Sequence, residues 1–585
     1  MSGAVSPQHR LQKLFKKGLK HHGEGRLELA QACYRKILKI DPTSPEARQM
    51  LRVLGAQAGA APESIPSLSA TLTDDAGTLN NRAASYIAEG KIQPAIDCLR
   101  RVVELRPESA QAHHHLGEAL ERLGDLQAAA NSYQRAVALQ PDSPELHCHL
   151  ARVLFRGGAL QPAAELYQRA LVLDPKRYDI YNDLGLVLTQ LGNFGAAVEA
   201  FRRSLRLNPR SAKTLASIGY LFECKGDLLS AADAYREAIK VEPKLLAAYG
   251  DLGFVLYGLG ELAEAADCFQ RLRALQPDSA EATANLGLIH LLQGNLPAGW
   301  AEYESRWKVG VGDDRSLVQR RWKGEPLGGE RILLYAEQGL GDTLQFLRYV
   351  PLVAARGGQV VLEVQPQLRR LLAGTEGASH VMSRGETLPE FTWQCPLLSL
   401  PLAFGTELHT IPAKVPYVYP DPTQVEAWQQ RLPGNTRRIG LVWGGNPTHA
   451  RDRLRSFPLE QLVPLMNVPG TTFYSLQWRP ANEPVKPMPP DARLIDLAAE
   501  LNDFADTAAI VANLDLVISV DSSVAHLAGA MGKPVWILLN KGCDWRWFLE
   551  REDSPWYPTA RLFRQTTAGA WQEVVNQIEL ALRQG

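Results

Sequence analysis

Prolines recur in this chain every 34 residues, at positions 107, 141, 175, 209, 243 and 277, and this interval restricts the fold more than any other feature. An alanine stands twelve residues before each proline, and a large side chain stands eight residues before it. A period of this length indicates a small helical unit that is stacked repeatedly. Because each unit buries its apolar face only against its neighbours, the pattern predicts a region of stacked helix pairs.

Three positions of the repeat explain how its helices pack. An alanine, which lets two helices approach closely, stands at Ala95, Ala129, Ala163, Ala197, Ala231 and Ala265. The large side chain between neighbouring units is Leu99, Tyr133, Tyr167, Phe201, Tyr235 or Phe269. Turn glycines recur at Gly90, Gly124, Gly158, Gly192, Gly226 and Gly260. This is the pattern of the tetratricopeptide repeat, and it predicts an α-solenoid.

The two ends of the array differ from its middle. An earlier unit contains Gly18, Gly25, Ala30, Tyr34 and Pro42. A segment rich in small residues and prolines follows it and predicts a linker. The last unit ends in PAGWAEYESRW instead of the usual proline, so we expect it to cap the array and dock onto the next domain. We therefore predict a first unit over 1–53, a linker over 54–75, and the array with its cap over 76–313.

After residue 313 the periodicity changes to strands that alternate with helices. RILLYAEQ and QVVLEVQ predict strands joined by the helix DTLQFLRYVPLVAARG, with further strands near 381 and 391. A second series runs through RRIGLVWGG, TTFYSLQW, RLIDLA, LDLVISV and PVWILL. Such alternation indicates parallel sheets, and ligands bind beyond the carboxyl ends of their strands. We predict two Rossmann-like α/β domains, over 314–420 and 421–585.

The stretch LDLVISVDSSVAHLAGAMGKPVWILL, residues 514–539, predicts a strand, a turn, a helix and a strand. Asp521, Ser522 and Ser523 can each cap the helix. The free N–H groups and the dipole at its start suit a phosphate or diphosphate. His526 lies one turn past Ser522 on the same face. An ordinary capped helix with a buried histidine is an equal alternative from these residues alone.

The pattern from Asp521 to His526, followed by LAGAMGKPVWIL, resembles the nucleotide-sugar site of bacterial heptosyltransferase-type glycosyltransferases, which have the two-domain GT-B architecture. The resemblance implies a tetratricopeptide α-solenoid followed by a GT-B glycosyltransferase, with the donor diphosphate at this helix. The ending PAGWAEYESRW and the segment GCDWRWFLEREDSPWYP resemble a bacterial group in which repeats precede a transferase domain. That group includes flagellin glycosyltransferases.

The first predicted strand of the α/β half ends in EQGLGDTLQF. Gly339 and Gly341 permit a tight turn with close approach of a ligand, and Asp342 can cap the following helix. In heptosyltransferase-like enzymes a Gly-Asp pair at this place supplies the group that deprotonates the acceptor hydroxyl. The resemblance therefore implies that Asp342 is the catalytic base, a role that a carboxylate within hydrogen-bond reach can perform. A purely structural helix cap is the alternative.

The donor-binding residues that we predict are Gly341, Asn446, Arg453, Arg455, Gln477, Asp521, Ser522, Ser523 and His526. Arg451, Arg453 and Arg455 follow a strand, and their planar donor forks match the oxygens of a leaving diphosphate. A solvated basic loop is the alternative for these arginines. Arg455 stands where related enzymes often carry a lysine, and Gln477 resembles a residue beside the nucleotide.

Composition excludes several other functions. The chain has 63 basic and 63 acidic residues, so no net field favours nucleic acid or an anionic membrane. The sequence contains no run of about 18 apolar residues, which is the length needed to span a bilayer. Its N-terminus lacks the apolar core of a signal peptide. We therefore expect a cytoplasmic protein. Its seven cysteines show no paired C-x-x-C spacing, which argues against a disulfide framework or a zinc site.

Neither a metal nor a cofactor is predicted, and the nucleotide-sugar is expected as a substrate only. Successive residues on a helix diverge by about 100°, so we expect that the run from His113 to His115 cannot converge on one ion. No Asp-x-Asp pair follows a strand, and Asp313 and Asp314 belong to the junction between the two halves. The predicted reaction is accordingly metal-independent.

Tetratricopeptide arrays bind peptides in a concave groove, so a protein partner is expected. The repeat-bearing protein O-glycosyltransferase of animals carries an asparagine ladder in this groove. Only Asn285 matches it here, and the other places hold His115, His149, Asp183, Ser217 and Asp251, which favours a narrower range of clients. The predicted function is an inverting protein O-glycosyltransferase that acts on Ser or Thr hydroxyls, with flagellin as the leading acceptor. The alternatives are a scaffold or chaperone with an inactive transferase domain, and a sugar-nucleotide epimerase.

Overall fold

The computed structural model describes residues 75–310, 317–432, 436–446, 452–478 and 493–584, together with residue 315, the helix Leu27–Ile40 and residues 14, 15, 17, 21, 50 and 51. The predictions made for Gly18, Gly25, Pro42, Asp313, Asp314, Arg451 and the linker before Asp75 lie outside the described residues. The chain divides into two compact units, residues 1–141 and 142–585.

The first unit is helical. Its described part contains the helices α1 Leu27–Ile40, α2 Ala76–Ala88, α3 Ile92–Leu105, α4 Ala110–Leu123 and α5 Leu126–Leu139, and the separate residues described before them and after α1 are also helical. Ser109 begins α4 by accepting a hydrogen bond from the Ala112 N–H, and Asp125 begins α5 in the same way through the Ala128 N–H. Between the two helices Gly124 has φ 90°, a left-handed conformation that glycine adopts without strain.

Two histidines of α4 lie closer together than the sequence analysis predicted. His114, His115 and Glu118 each place one ligand atom within 4.8 Å of the others. The two imidazole rings lie 5.7 Å apart, and the Nδ1 of His115 lies 3.2 Å from the Oδ1 of Asn80. The argument that neighbouring histidines cannot converge is therefore wrong, because side-chain torsions can offset the divergence of the backbone positions.

The second unit begins with helix pairs of the same kind. Its helices are α6 Pro144–Arg156, α7 Leu160–Leu173, α8 Tyr178–Gln190, α9 Phe194–Leu207, α10 Ala212–Lys225, α11 Leu228–Val241, α12 Leu246–Leu259, α13 Leu262–Leu275, α14 Ala280–Leu292 and α15 Leu296–Tyr303. The repeat alanines are fully buried, and the aromatic residue four positions later is at most 1% exposed in each pair from Ala163 to Phe269. The turn glycines have φ between 74° and 83°. The predicted packing of the repeat is confirmed.

Glycines inside the first helix of a pair allow the aromatic ring of the second helix to approach. A Cβ added at Gly219 would lie 2.7 Å from Cε1 of Tyr235, whereas a Cβ added at Gly195 in α9 would meet nothing within 4 Å. We expect Gly219→Ala to lower the free energy of unfolding by about 1–3 kcal/mol through overpacking. Gly195→Ala is the matched control, and its expected gain is at most about 1 kcal/mol. Denaturant unfolding of the full chain measures both, and equal stabilities of the two variants would contradict this packing.

Two parallel sheets follow the repeats. The first has strands β1 Arg320–Arg321, β2 Arg331–Tyr335, β3 Gln359–Val364, β4 Ala378–Ser383 and β5 Trp393–Pro396, in the order β1-β5-β2-β3-β4. The second has β6 Arg437–Val442, β7 Thr471–Ser475, β8 Leu494–Asp496, β9 Leu516–Val520, β10 Val535–Leu539 and β11 Ala560–Arg564, in the order β11-β10-β9-β6-β7-β8. Every neighbouring pair is parallel. The sequence predicted all of these strands except β1 and β11.

Helices lie between these strands and after the last of them. They are α16 Leu340–Phe346, α17 Val350–Ala354, α18 Pro366–Arg369, α19 Leu400–Ala403, α20 Pro422–Arg431, α21 Asp452–Arg455, α22 Phe504–Ala512, α23 Ser523–Ala530 and α24 Trp571–Gln584. The single helix predicted after β2 is divided into α16, a 3-10 turn at Leu347–Tyr349, and α17. Pro351 explains the division, because proline lacks the N–H that a continuous helix needs.

The end of the repeats packs directly on the α/β part. Trp300 in α15 is 2% exposed, donates its indole N–H to the Thr406 carbonyl at 3.0 Å, and meets Trp545 edge to face at 5.1 Å. The buried Arg306 pairs with Glu337 at 3.2 Å. Burial raises the pKa of Glu337 to about 7, although the charge of Arg306 opposes the rise. These contacts hold the end of the repeats against both sheet domains.

Within the described residues, none of the helices combines the length and the apolar character needed to cross a membrane.

Candidate active site

Two short helices meet where strands of the two sheets end. Helix α16 follows β2 in the first sheet, and α23 follows β9 in the second. A Cβ added at Gly341 would lie 2.7 Å from Cδ2 of His526 and 3.5 Å from the Cα of Ser523. A larger residue at position 341 would therefore push the two helices apart. Gly341 of the first α/β domain thus meets Ser523 and His526 of the second at this point.

The start of α23 is built as the sequence predicted, and the structure selects one of three possible caps. Ser522 is the N-cap, since its side chain accepts a hydrogen bond from the Ala525 N–H, and its hydroxyl also lies 2.8 Å from that of Ser519. The first N–H groups of a helix have no partner within the helix, so those of Ser523 and Val524 are available at the end where an anion would bind.

Asp342 makes one contact within its own domain and one with the second sheet domain. Its Oδ2 accepts a hydrogen bond from the Gly339 N–H at 2.7 Å, which is the predicted cap of α16. Its Oδ1 accepts a hydrogen bond from Nη2 of Arg546 in the second sheet domain. The cap therefore occupies one oxygen and orients the other toward the opposite domain.

Arg546 is a site residue that the sequence reasoning missed. Its Nε donates to Oε1 of Gln345 and its Nη1 donates to Oδ1 of Asp544, both at 2.7 Å. The guanidinium carbon lies 4.2 Å from the centre of the Trp545 ring. Burial opposes the charge, but Asp544 and Asp342 together hold the pKa of Arg546 above its ordinary value. The only local signal was an arginine between two tryptophans, W-R-W, which does not indicate a partner 204 residues away.

His526 is enclosed by aromatic side chains. Its Nδ1 lies 2.9 Å from the Tyr557 hydroxyl, and its ring stacks on Trp547 with centroids 5.2 Å apart. Burial, aided by the nearby charge of Arg546, lowers the pKa of His526 to about 3. The imidazole is therefore neutral near pH 7. It can form a hydrogen bond with a nucleotide-sugar, but it cannot supply positive charge.

Asp521 lies beside His526, with its Oδ1 3.9 Å from the Nε2 of the imidazole. Burial, together with the nearby carboxylate of Asp544, raises the pKa of Asp521 to about 6. Arg455 donates from Nη1 to the backbone carbonyl of Asp521 at 2.9 Å and from Nε to Oδ1 of Asp452 at 3.1 Å. Arg455 thus lies next to the turn that precedes α23.

Two other predicted donor-binding residues have partners outside this cluster. Arg453 extends toward the repeats, where its Nη2 lies 3.6 Å from Oε1 of Glu223 in α10. Gln477 accepts the N–H groups of Trp443 and Gly444 at 3.2 and 2.9 Å, and donates back to the Gly444 carbonyl at 3.2 Å. Its amide therefore braces the loop after β6. Asn446 is exposed at the end of the described part of that loop.

Arg348 is a second buried residue that the sequence reasoning missed. It donates hydrogen bonds to the carbonyls of Gln345 at 2.7 Å, Pro412 at 3.2 Å and Trp556 at 2.6 Å, and to the Tyr417 hydroxyl at 2.8 Å. These partners belong to the first sheet domain, the connecting segment and the second sheet domain. Arg348 thereby ties the two α/β domains together behind the helices of the site.

The titratable groups of the cluster are largely shielded from solvent. The side chains of Asp342, Asp521 and His526 are 18%, 13% and 6% exposed. Two parallel α/β domains whose strand ends converge on such a cluster, preceded by helix pairs, are consistent with a repeat-bearing glycosyltransferase of the GT-B fold.

Comparison with known families agrees with this class. The tetratricopeptide-repeat family matches residues 80–144, 122–178, 182–249 and 251–309, and a further tetratricopeptide family matches residues 14–44. The family described as glycosyltransferase family 9 (heptosyltransferase) matches residues 476–539, which contain β9, α23 and β10. Four segments between residues 80 and 309 thus match tetratricopeptide repeats, and residues 476–539 match a glycosyltransferase family of the heptosyltransferase type, which together support a repeat-bearing glycosyltransferase.

The individual relatives and solved structures have low sequence identity to this chain. The chain is 29% identical over 325 residues to Protein FlbA of Caulobacter vibrioides, a match that covers 50% of this chain and 54% of FlbA, so the chain spans about half the length of this curated relative. A tetratricopeptide repeat protein of Parabacteroides merdae is 18% identical, with a TM-score of 0.36, over 41% of this chain and 94% of its own. MamA is 26% identical, with a TM-score of 0.26, over 28% of this chain and 95% of its own.

Proposed function

We propose that this chain transfers a sugar from a nucleotide-sugar donor to a Ser or Thr hydroxyl of a protein that its repeats capture. The observation that carries the proposal is the meeting of Asp342 with the start of α23. A potential base and a potential diphosphate site lie on opposing helices in contact with one another. A transferase needs both groups at one place, whereas a scaffold needs neither.

The proposed reaction is a single displacement. The acceptor hydroxyl loses its proton to Asp342 while its oxygen forms a bond to the anomeric carbon. The bond between that carbon and the phosphate oxygen breaks, and the diphosphate leaves with the electron pair. Arg455 and the N–H groups that begin α23 stabilise its charge. Attack opposite to the leaving group inverts the anomeric carbon, and metal independence rests on the lack of an Asp-x-Asp pair after a strand in the sequence.

Because the site is shielded, a nucleotide-sugar needs a route into it. We infer that the two α/β domains separate to admit the donor and close again for the reaction, as lids and domains do in many enzymes. Closure would exclude water, which could otherwise accept the sugar in place of the protein hydroxyl. Arg348 lies at the junction of the two domains and the connecting segment, where such a movement would pivot.

Donor binding should depend on pH through Asp521. An ionised Asp521 repels a diphosphate, so binding raises its pKa further and is linked to proton uptake. With a pKa of about 6 in the free protein, affinity should rise as the pH falls from 8 to 5. The rise is about tenfold if the diphosphate raises this pKa by one unit.

Calorimetric titration with a nucleoside diphosphate at several pH values measures this change in affinity. Asp521→Asn should lack this component and retain only the titration of the phosphate itself, and an identical pH profile in the variant would contradict the assignment.

The acceptor is proposed to be a protein, because tetratricopeptide repeats are interaction modules. Flagellin is the candidate that the resemblance to bacterial flagellin glycosyltransferases provides. The end of the array leads directly to the site: Tyr257 in α12 donates to the Cys543 carbonyl at 3.1 Å, three residues before Arg546. A polypeptide held along the last repeats would therefore lie close to Asp342.

The test is to incubate the full chain with purified flagellin and a panel of UDP-, GDP-, ADP- and CDP-sugars, and to measure the intact mass of flagellin. A gain of one sugar mass, lost in Asp342→Asn, supports a protein glycosyltransferase. Stable capture of flagellin without a mass gain from any donor supports the scaffold. Conversion of a donor to its epimer, without transfer, supports the epimerase.

A further inference from the structure

Arg546 is the one buried cation that links the proposed base to the proposed donor site within the described residues. Each of its three nitrogens donates to a different side chain: Nε to Gln345, Nη1 to Asp544 and Nη2 to Asp342. Gln345 and Asp342 belong to the first sheet domain, and Asp544 belongs to the same loop as Arg546. The guanidinium of Arg546 therefore joins the two sheet domains through hydrogen bonds.

In this arrangement Asp342 is not ready to act as a base. One carboxylate oxygen is held by the Gly339 N–H and the other by Arg546. The hydrogen bond from Arg546 is charge-assisted, and it occupies the oxygen that faces the second sheet domain. The group that must take the acceptor's proton is thus occupied before any substrate binds.

The same guanidinium lies beside the proposed diphosphate site. The ring of the next residue, Trp547, stacks on His526 of α23. Asp342, which Arg546 contacts, follows Gly341, and a Cβ added at Gly341 would lie 3.5 Å from the Cα of Ser523 at the start of α23. A diphosphate at the start of α23 would lie within reach of Nη2, and a guanidinium fork binds phosphate oxygens well. Asp544 would keep the side chain anchored through Nη1 while Nη2 changes partner.

We propose that Arg546 exchanges Asp342 for the donor diphosphate, so that binding of the nucleotide-sugar frees the base. The exchange rests on the proposed function. The exchange fixes the order of the reaction, because the acceptor hydroxyl loses its proton only when a nucleotide-sugar is bound. The resting contact between Arg546 and Asp342 also keeps the two domains closed when no donor is bound.

The test compares the affinity of full-length variants for UDP, GDP, ADP and CDP by calorimetry at pH 7.5, using the nucleotide that the wild type binds most tightly. Asp342→Asn should bind it about tenfold more tightly, because the diphosphate no longer competes with a carboxylate for one charge-assisted hydrogen bond. Arg546→Gln should bind it at least tenfold more weakly. In the double variant the gain from Asp342→Asn should vanish, since no guanidinium remains to be released.

Two further variants separate this exchange from a structural effect. Arg551→Gln removes an arginine whose partner Asp553 is exposed in the same loop, and it should leave nucleotide affinity unchanged. Arg546→Lys keeps the charge without the fork, and it should restore part of the affinity lost in Arg546→Gln if that variant remains folded. Unchanged or weaker binding by Asp342→Asn overturns the exchange alone. Failure of the wild type to bind any of the four nucleotides overturns the proposed donor site itself.

Discussion

Asp342→Asn is expected to lower the rate of sugar transfer by about 10²–10⁴-fold, the usual contribution of a general base. Asparagine has the same shape and can still accept the Gly339 N–H through its amide oxygen, so the start of α16 should survive. It cannot take a proton from the acceptor hydroxyl. The measurement is the transfer rate at saturating donor and acceptor, with the melting temperature recorded for each protein.

Asp421→Asn is the matched control for the capping role. Asp421 caps α20 by accepting the Thr423 N–H at 2.8 Å, and it is exposed. Asparagine keeps this cap and loses only the charge, so the free energy of unfolding should fall by at most about 1 kcal/mol and the transfer rate should not change. If Asp342→Asn transferred sugar as fast as the wild type, Asp342 would be a helix cap alone, and the base would have to be sought elsewhere in the site.

Trp300→Ala should have the largest effect on stability. Trp300 fills the junction between the last repeat and the α/β part, and the substitution removes both the edge-to-face contact with Trp545 and the hydrogen bond to Thr406. Truncation of a buried tryptophan costs about 3–5 kcal/mol. Because Trp545 in turn lies under the guanidinium of Arg546, the transfer rate should fall as well. Denaturant unfolding and the transfer assay measure the two effects.

Trp478→Ala is the control for this substitution, because Trp478 is 59% exposed. Its expected effect on the free energy of unfolding is within about 0.5 kcal/mol. Similar stabilities for the two tryptophan variants would mean that the junction contributes little to holding the repeats on the α/β domains. A loss of stability in Trp300→Ala with an unchanged transfer rate would mean that the repeats do not help to position Arg546.

The repeats show how far a local pattern can predict a structure. Ala231, Tyr235 and Gly226 recur at the same places in each unit, and each was found in its predicted packing role. The helices of a unit contact mostly their neighbours in sequence, so the residues that decide the packing lie within one period of 34 residues. The strand, turn and helix from Leu514 to Leu539 were predictable for the same reason, since their signals are short-range.

Some local choices remained open in the sequence. Three residues could have capped α23. The structure shows that Ser522 is the cap, because its backbone is extended and its side chain accepts the Ala525 N–H. The helix after β2 was predicted as one piece, although Pro351 within it was a local signal for the division. Strand β11 has an ordinary alternation of side chains, but nothing in its sequence indicates that it pairs with β10 at the edge of the second sheet.

By itself the sequence determined the repeat, the two α/β series and the candidate roles of Asp342 and of the turn from Asp521 to His526. Only the tertiary structure decided that Arg546 joins Asp342 and that Arg453 extends toward the repeats instead of the turn. Hydrophobic periods and caps are properties of neighbouring residues, so they can be read along the chain. Partners 204 residues apart are set by how two domains close on each other, and no local pattern carries that information.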